Sequence, residues 1–269
     1  MKNIRNRKGA SKTINVPEEV RRLLDSGQIA TVNLTEWLVV NHRALAASVF
    51  PEMGLEMALA MVQSRLANQS RITARQAIQE VATAILETLV QAEERQAVVE
   101  KIAAHPSDSV RCWGAYVVGL DRHSSLPEKL AGVRPFAADR HFGVREVAWM
   151  AVREDVGRAI DEALRQLTAW AEDPDENIRR FASEVTRPRG VWCRHIERLK
   201  EKPWLAETLL EPLRSDDAKY VRDSVGNWLN DAGKTQREWV MILCDRWQAE
   251  SGTSETAYIV KRAMRSMGK

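Results

Sequence analysis

One short pattern constrains what this chain can fold into. A small or acidic residue is followed by Val or Ile and then Arg, at the start of a stretch with helical apolar spacing. It recurs in SDSVRCWGA around Arg111, HFGVREVAW around Arg145, ENIRRFASE around Arg179 and AKYVRDSVG around Arg222. RITARQAIQE at Arg75 and AYIVKRAMR at Lys261 are looser copies. Successive copies lie 36, 34, 34, 43 and 39 residues apart. A unit of this size is a helical pair that cannot bury its apolar face alone, so copies must stack. The fold class that follows is all-α: an α-solenoid, or superhelix, of HEAT-like (ARM-type) helical-pair repeats.

Composition agrees. Ala, Leu, Glu, Arg and Gln are abundant, and 13 Gly with 9 Pro are few for a loop-rich chain. No alternating run marks a strand. Residues 1–16 lack apolar periodicity and read as a flexible basic tail, leaving 17–269 as a single repeat domain. Within that domain the spacing predicts a helix after Pro17, one across 33–51 ended by Pro51, and others at 53–67 and 70–91. The Val-Arg helices then start near 108, 141, 175 and 217. Their partners run at about 126–138, 158–171, 190–200 and 235–249, between Pro and Gly breakers.

Several function classes find no support. Cys112, Cys193 and Cys244 stand far apart with no C-x-x-C, which argues against a disulfide framework or a zinc site. The five His lack ligand spacing, and no phosphate loop, H-E-x-x-H or G-x-S-x-G occurs. No metal and no cofactor are expected. The N-terminus lacks the apolar core of a secretory signal, and no apolar run reaches a membrane span. A soluble cytoplasmic monomer is expected, nucleoid-associated if the source is a prokaryote. The net charge of +3 is misleading: residues 1–22 hold seven Lys/Arg against two Glu, so the remainder is close to neutral. Any anion-binding surface must come from sorting charge onto one face.

The repeated arginine has two readings. It can pair with an acidic residue of the next repeat and hold the stack. Alternatively, a ladder of guanidinium groups can match a phosphate backbone through their planar forks. In the doublet Arg179–Arg180 the two side chains point about 100° apart, so each reading can take one. The segment around Pro188 gathers Arg187, Arg189, Trp192, Arg194, Arg198, Lys200 and Lys202, and basic residues interleaved with an aromatic suit nucleic-acid contact. Of nine Trp, those at 170, 239 and 247 have core spacing, whereas Trp113, Trp149, Trp192 and Trp228 lie near repeat arginines.

RRFASEVTRPRGVW and YVRDSVGNWLNDAGK resemble the DNA alkylation repair proteins of the AlkC/AlkD type, and RRLLDSGQIATVNLTEWLVVNHRALAASVF resembles the N-terminal part of the AlkC branch. The likeness touches most of residues 20–240. It implies a metal-free DNA glycosylase that hydrolyses the N-glycosidic bond of purines such as 3-methyladenine and 7-methylguanine in double-stranded DNA. A carboxylate and Trp faces would stabilise the cationic sugar, and an Arg/Lys-lined concave face would hold the phosphates. Where the AlkD branch has Trp followed by Asp four positions later, this chain has Phe142 and Glu146. Glu146 is therefore the expected charge stabiliser, with Trp149 or Trp113 as the aromatic wall. An ion pair to a neighbouring Arg is the structural alternative for Glu146. Arg180 matches a family arginine near the lesion, and Asn227 falls where the family has a second aromatic. The expected DNA contacts are Arg145, Arg179, Arg180, Arg187, Arg189, Trp192, Arg194, Arg222, Asn227, Trp228 and Lys234. A catalytically silent DNA-binding solenoid and a protein–protein scaffold are the rival readings.

Overall fold

The computed structural model describes residues 4, 6–67, 72–89, 91–190 and 193–266. Among these, every regular element is helical. In chain order the α-helices are α1 (Glu18–Asp25), α2 (Leu34–Val39), α3 (His42–Met53), α4 (Glu56–Arg65), α5 (Ala74–Thr88), α6 (Ala92–Ala103), α7 (Asp108–Leu120) and α8 (Leu126–Ala137). They continue with α9 (Phe142–Arg158), α10 (Ile160–Trp170), α11 (Glu176–Val185), α12 (Glu197–Glu201), α13 (Glu207–Leu210), α14 (Lys219–Gly233), α15 (Arg237–Ser251) and α16 (Ser254–Met264). The chain forms two compact units. One is Met1–Ser124 with Asp139–Ala151; the other is Ser125–Ala138 with Val152–Lys269.

In the first unit α5 packs on α4 and α7, and α6 packs on α7. The apolar positions of α5, Ala77, Ile78, Val81 and Ile85, recur at helical spacing and are buried. The helix starts on a capping box, Thr73 with Gln76, that satisfies two backbone donors at once. Gly119 near the end of α7 has no room for a side chain: a Cβ there would lie 2.3 Å from the Ala151 carbonyl oxygen. In the second unit α11 packs on α8, α10 and α14, while α14 carries α15 and α16. Ile178, Phe181 and Val185 of α11 meet a core that includes Val221, Val225, Trp228 and Leu229 of α14.

Several local expectations are corrected. The helix across 33–51 is two helices, because the Asn41 side chain accepts the Ala44 N–H and restarts the chain at α3. Pro51 sits inside the last turn of α3, which ends at Gly54 with φ 74°. α6 was not foreseen, and the helix expected at 190–200 is only α12. Pro212 falls in a 3-10 turn, Glu211–Leu213, after the four-residue α13. The tail expected to be unattached is tied down over its described part. Arg7 makes a two-pronged ion pair with buried Glu36 (2.8 and 2.5 Å), the Asn33 amide donates to the Ala10 carbonyl, and Val16 is buried.

Candidate functional site

The repeat arginines share one geometry. Arg111, Arg145, Arg179 and Arg222 each send Nη1 to the carbonyl six residues upstream: His105 (2.7 Å), Asp139 (2.7 Å), Asp173 (2.9 Å) and Asp216 (2.9 Å). The residue at that upstream position also caps the chain's entry into the helix. Asp139, Asp173 and Asp216 accept the N–H two residues on, and His105 does the same through Nδ1. Arg111 then forks onto Asp139 (2.6 and 3.1 Å), and Arg179 onto Asp216 (2.6 and 3.0 Å). Each arginine thus ties its own helix entry, and in two cases it also ties the next repeat. The hydrogen bond and charge of Asp216 push the Arg179 guanidinium above its ordinary pKa. For Arg179 the fork onto Asp216 is stack-holding, whereas the Nη1 bonds of Arg145 and Arg222 tie each residue to its own helix entry. A recurring Asp-x5-Arg spacing at 139/145, 173/179 and 216/222 was the available signal.

The tryptophan expectations are corrected as well. Trp113 is 0% exposed; its indole N–H donates to His42 Nδ1 at 3.1 Å, and Phe50 packs edge-on to it. Trp228 is equally buried and donates to the Thr186 carbonyl at 3.1 Å. Neither ring has a face to offer a ligand. Trp149 is 2% exposed, and its indole N–H donates to Glu146 Oε2 at 2.9 Å. It positions Glu146 and is not an aromatic wall. Glu146 is half-buried on α9, one turn after the half-buried Phe142, whose ring lies 4.6 Å from that of His141. Trp192 lies outside the described residues.

The second unit holds a buried ionic network at the start of the RPRG segment. Arg187 donates Nε and Nη2 to Asp231 Oδ2 (3.0 and 2.7 Å) and Nη1 to Glu184 Oε1 (2.8 Å). Glu184 Oε2 accepts the Ser224 hydroxyl at 2.7 Å and lies 3.6 Å from Arg180 Nη2. Burial works against the Glu184 charge, yet Arg180 and Arg187 hold its carboxyl below the ordinary value. Arg187 therefore stabilises the fold and is no surface contact. Arg180, half-buried, lies 4.2 Å over the Tyr220 ring. Lys234 reaches Asp231 Oδ1 at 3.0 Å, and Arg189 Nε reaches the Asp231 carbonyl at 3.3 Å. Arg194 is exposed. Asn227 Oδ1 accepts from Arg262 Nε and Arg265 Nη2.

Arg153 was missed. Its guanidinium is buried and donates to three carbonyls, those of Val185 (2.7 Å), Arg187 (2.6 Å) and Arg194 (3.1 Å). It clamps both ends of the loop that presents Arg189 and Arg194. Burial lowers its pKa from the usual guanidinium value. Only its position inside a helical run was visible in the sequence, and that looks like any solvated arginine.

Helical pairs entered by a capped Asp or His and locked by a repeated arginine define an all-α protein of HEAT-like repeats. No family model matches the chain. Over 110 residues it is 40% identical to the uncharacterized protein YhaZ of Bacillus subtilis (strain 168), a match covering 40% of this chain and 30% of YhaZ. Among solved structures, the Pseudomonas fluorescens alkylpurine DNA glycosylase AlkC bound to DNA containing an abasic site analog is similar with a TM-score of 0.68 and 25% identity. That likeness covers 85% of this chain and 61% of the AlkC chain. AlkD2 from Streptococcus mutans is similar with a TM-score of 0.61 and 23% identity over 78% of this chain and 98% of AlkD2. Within the HEAT-like class, the chain's fold is similar to those of the AlkC and AlkD2 structures. It spans well under two thirds of YhaZ and somewhat under two thirds of the AlkC chain.

Proposed function

We propose that this protein is a DNA repair glycosylase that acts on double-stranded DNA and excises N-alkylated purines, 3-methyladenine and 7-methylguanine, by hydrolysis. The observation that carries the reading is Glu146: a half-buried carboxylate on α9 whose Oε2 accepts the neutral Trp149 indole N–H at 2.9 Å. The indole, a neutral donor, orients the carboxylate and adds no opposite charge of its own. The likeness to an alkylpurine glycosylase in complex with DNA supports the same assignment. In the reaction the alkylated base is already cationic. It leaves with both electrons of the bond from C1′ to nitrogen, Glu146 stabilises the oxocarbenium-like sugar, and water adds at C1′ and loses a proton. Phe142, one turn before Glu146, takes the place of the aromatic wall. Arg180, Arg189, Arg194 and Lys234 contact the phosphates. The protein works as a monomer without a cofactor, in the cytoplasm.

The test is release of free methylated bases from methylated duplex DNA, comparing the native chain with Glu146→Gln. Release that collapses while duplex binding persists supports the reading; release that is unaffected removes Glu146 from the chemistry. Burial of both Trp113 and Trp149 favours a second reading, a silent DNA-binding protein. No release, together with salt-steep duplex binding, would select it.

A further inference from the structure

α14 and α16 approach closely because residue 226 is glycine: a Cβ there would lie 2.8 Å from Arg262 Cβ and 2.9 Å from Arg262 Cδ. The stem of Arg262 therefore crosses the α14 backbone and brings its head to Asn227. Arg265, three residues on and so on the same helix face, arrives at the same atom. Asn227 Oδ1 accepts Arg262 Nε at 3.1 Å and Arg265 Nη2 at 3.0 Å. Two cations are thus gathered on one neutral oxygen.

Carboxylates nearby do not balance them. Asp223 lies 3.3 Å from Arg262 Nη1, but it also takes Lys219 Nζ (2.7 Å) and the Tyr258 hydroxyl (2.6 Å). One turn beyond Asn227, Asp231 is already shared by Arg187 and Lys234. Arg265 makes no ion pair among the described residues, and its head is held by Asn227 and the Arg262 carbonyl. Partial burial and the charge of Arg262 lower its pKa. Cations at the end of α16 do suit the helix dipole. That accounts for positive charge there, but not for an amide where a carboxylate would hold both guanidiniums more strongly.

We infer that Asn227, Arg262 and Arg265 form a phosphate clamp that takes one backbone phosphodiester of a nucleic acid. Two guanidinium forks side by side match the two non-bridging oxygens of that group. Asn227 pre-orients the forks without neutralising them. The inference rests on the nucleic-acid part of the reading above, not on base excision.

The test uses the full chain and an undamaged duplex, with fluorescence anisotropy measured across a salt series. Arg262→Gln with Arg265→Gln is expected to weaken binding about tenfold near physiological salt and to flatten the log–log salt slope by about one, the share of a single neutralised phosphate. Asn227→Asp, which supplies the missing carboxylate, is expected to weaken binding similarly while raising or preserving the melting temperature, so that misfolding cannot explain the weaker binding. Unchanged affinity and slope in folded Asn227→Asp protein would overturn the clamp. Inorganic phosphate at fixed ionic strength forms a second arm. If phosphate stabilises the native chain but not Asn227→Asp, while duplex affinity is the same in both, the site serves free phosphate and the backbone assignment is wrong. Base release that survives with duplex binding unaffected in the clamp variants would sink this inference alone; absent release with a clamp-dependent salt slope would sink only the glycosylase.

Discussion

Acid should unfold this protein through His42. The imidazole is fully buried at the first position of α3; Nδ1 accepts the Trp113 indole N–H, and Nε2 has no partner among the described residues. Burial lowers its pKa from 6.5 to about 4. In the unfolded chain the ring takes a proton near its ordinary value, so between these limits the unfolded state binds more protons. Stability therefore falls as pH drops through that window, and the loss is complete only below the folded value. A shift from 6.5 to about 4 is worth about 3 kcal/mol between roughly pH 7 and pH 4. The group is fully buried, so solvent does not screen it. His42→Gln keeps an acceptor for Trp113 and cannot titrate. Urea melts followed by circular dichroism, for both chains across this range, isolate the histidine because every other group titrates in both. The native chain should lose about 3 kcal/mol more than His42→Gln. Parallel curves would refute the reasoning.

Further expectations rest on the same kind of reasoning. Arg179→Ala should cost about 1–3 kcal/mol by removing the fork onto Asp216, while the salt slope of duplex binding stays as in the native chain; a flatter slope would return this residue to the phosphates. Arg187→Leu should cost about 3–5 kcal/mol in urea melts, because Glu184 and Asp231 are left buried without it. Trp149→Phe keeps a buried ring but removes the donor to Glu146, so base release should fall about tenfold with little change in duplex affinity, read from single-turnover assays. Gly119→Ala should cost about 1–3 kcal/mol or more in thermal melts, since its methyl would meet the Ala151 carbonyl.

The repeat pattern carried the fold class because helical pairing is a local property. Apolar spacing sets each buried face, and breakers set each helix end. The same localness leaves the helix-entry bond of these arginines legible in kind: Asp-x5-Arg is a contact within one helix entry, visible as a spacing. The break at Asn41 was missed because one side-chain cap outweighed an unbroken apolar run.

The site was legible only in part. A tryptophan beside an arginine in sequence does not disclose which way its ring faces. Tertiary packing buried Trp113 and Trp228, and it turned Trp149 toward Glu146. Arg153 and the pair Arg262 and Arg265 act on residues 32 to 41 positions away and 35 to 38 positions away, respectively. No local pattern encodes a partner at that distance. The sequence by itself determined that this chain is a helical array with charge to sort, since period and composition need no partner. Only the tertiary structure decided which cations are consumed in holding the stack and which remain for a ligand, because that depends on where each carboxylate arrives in space.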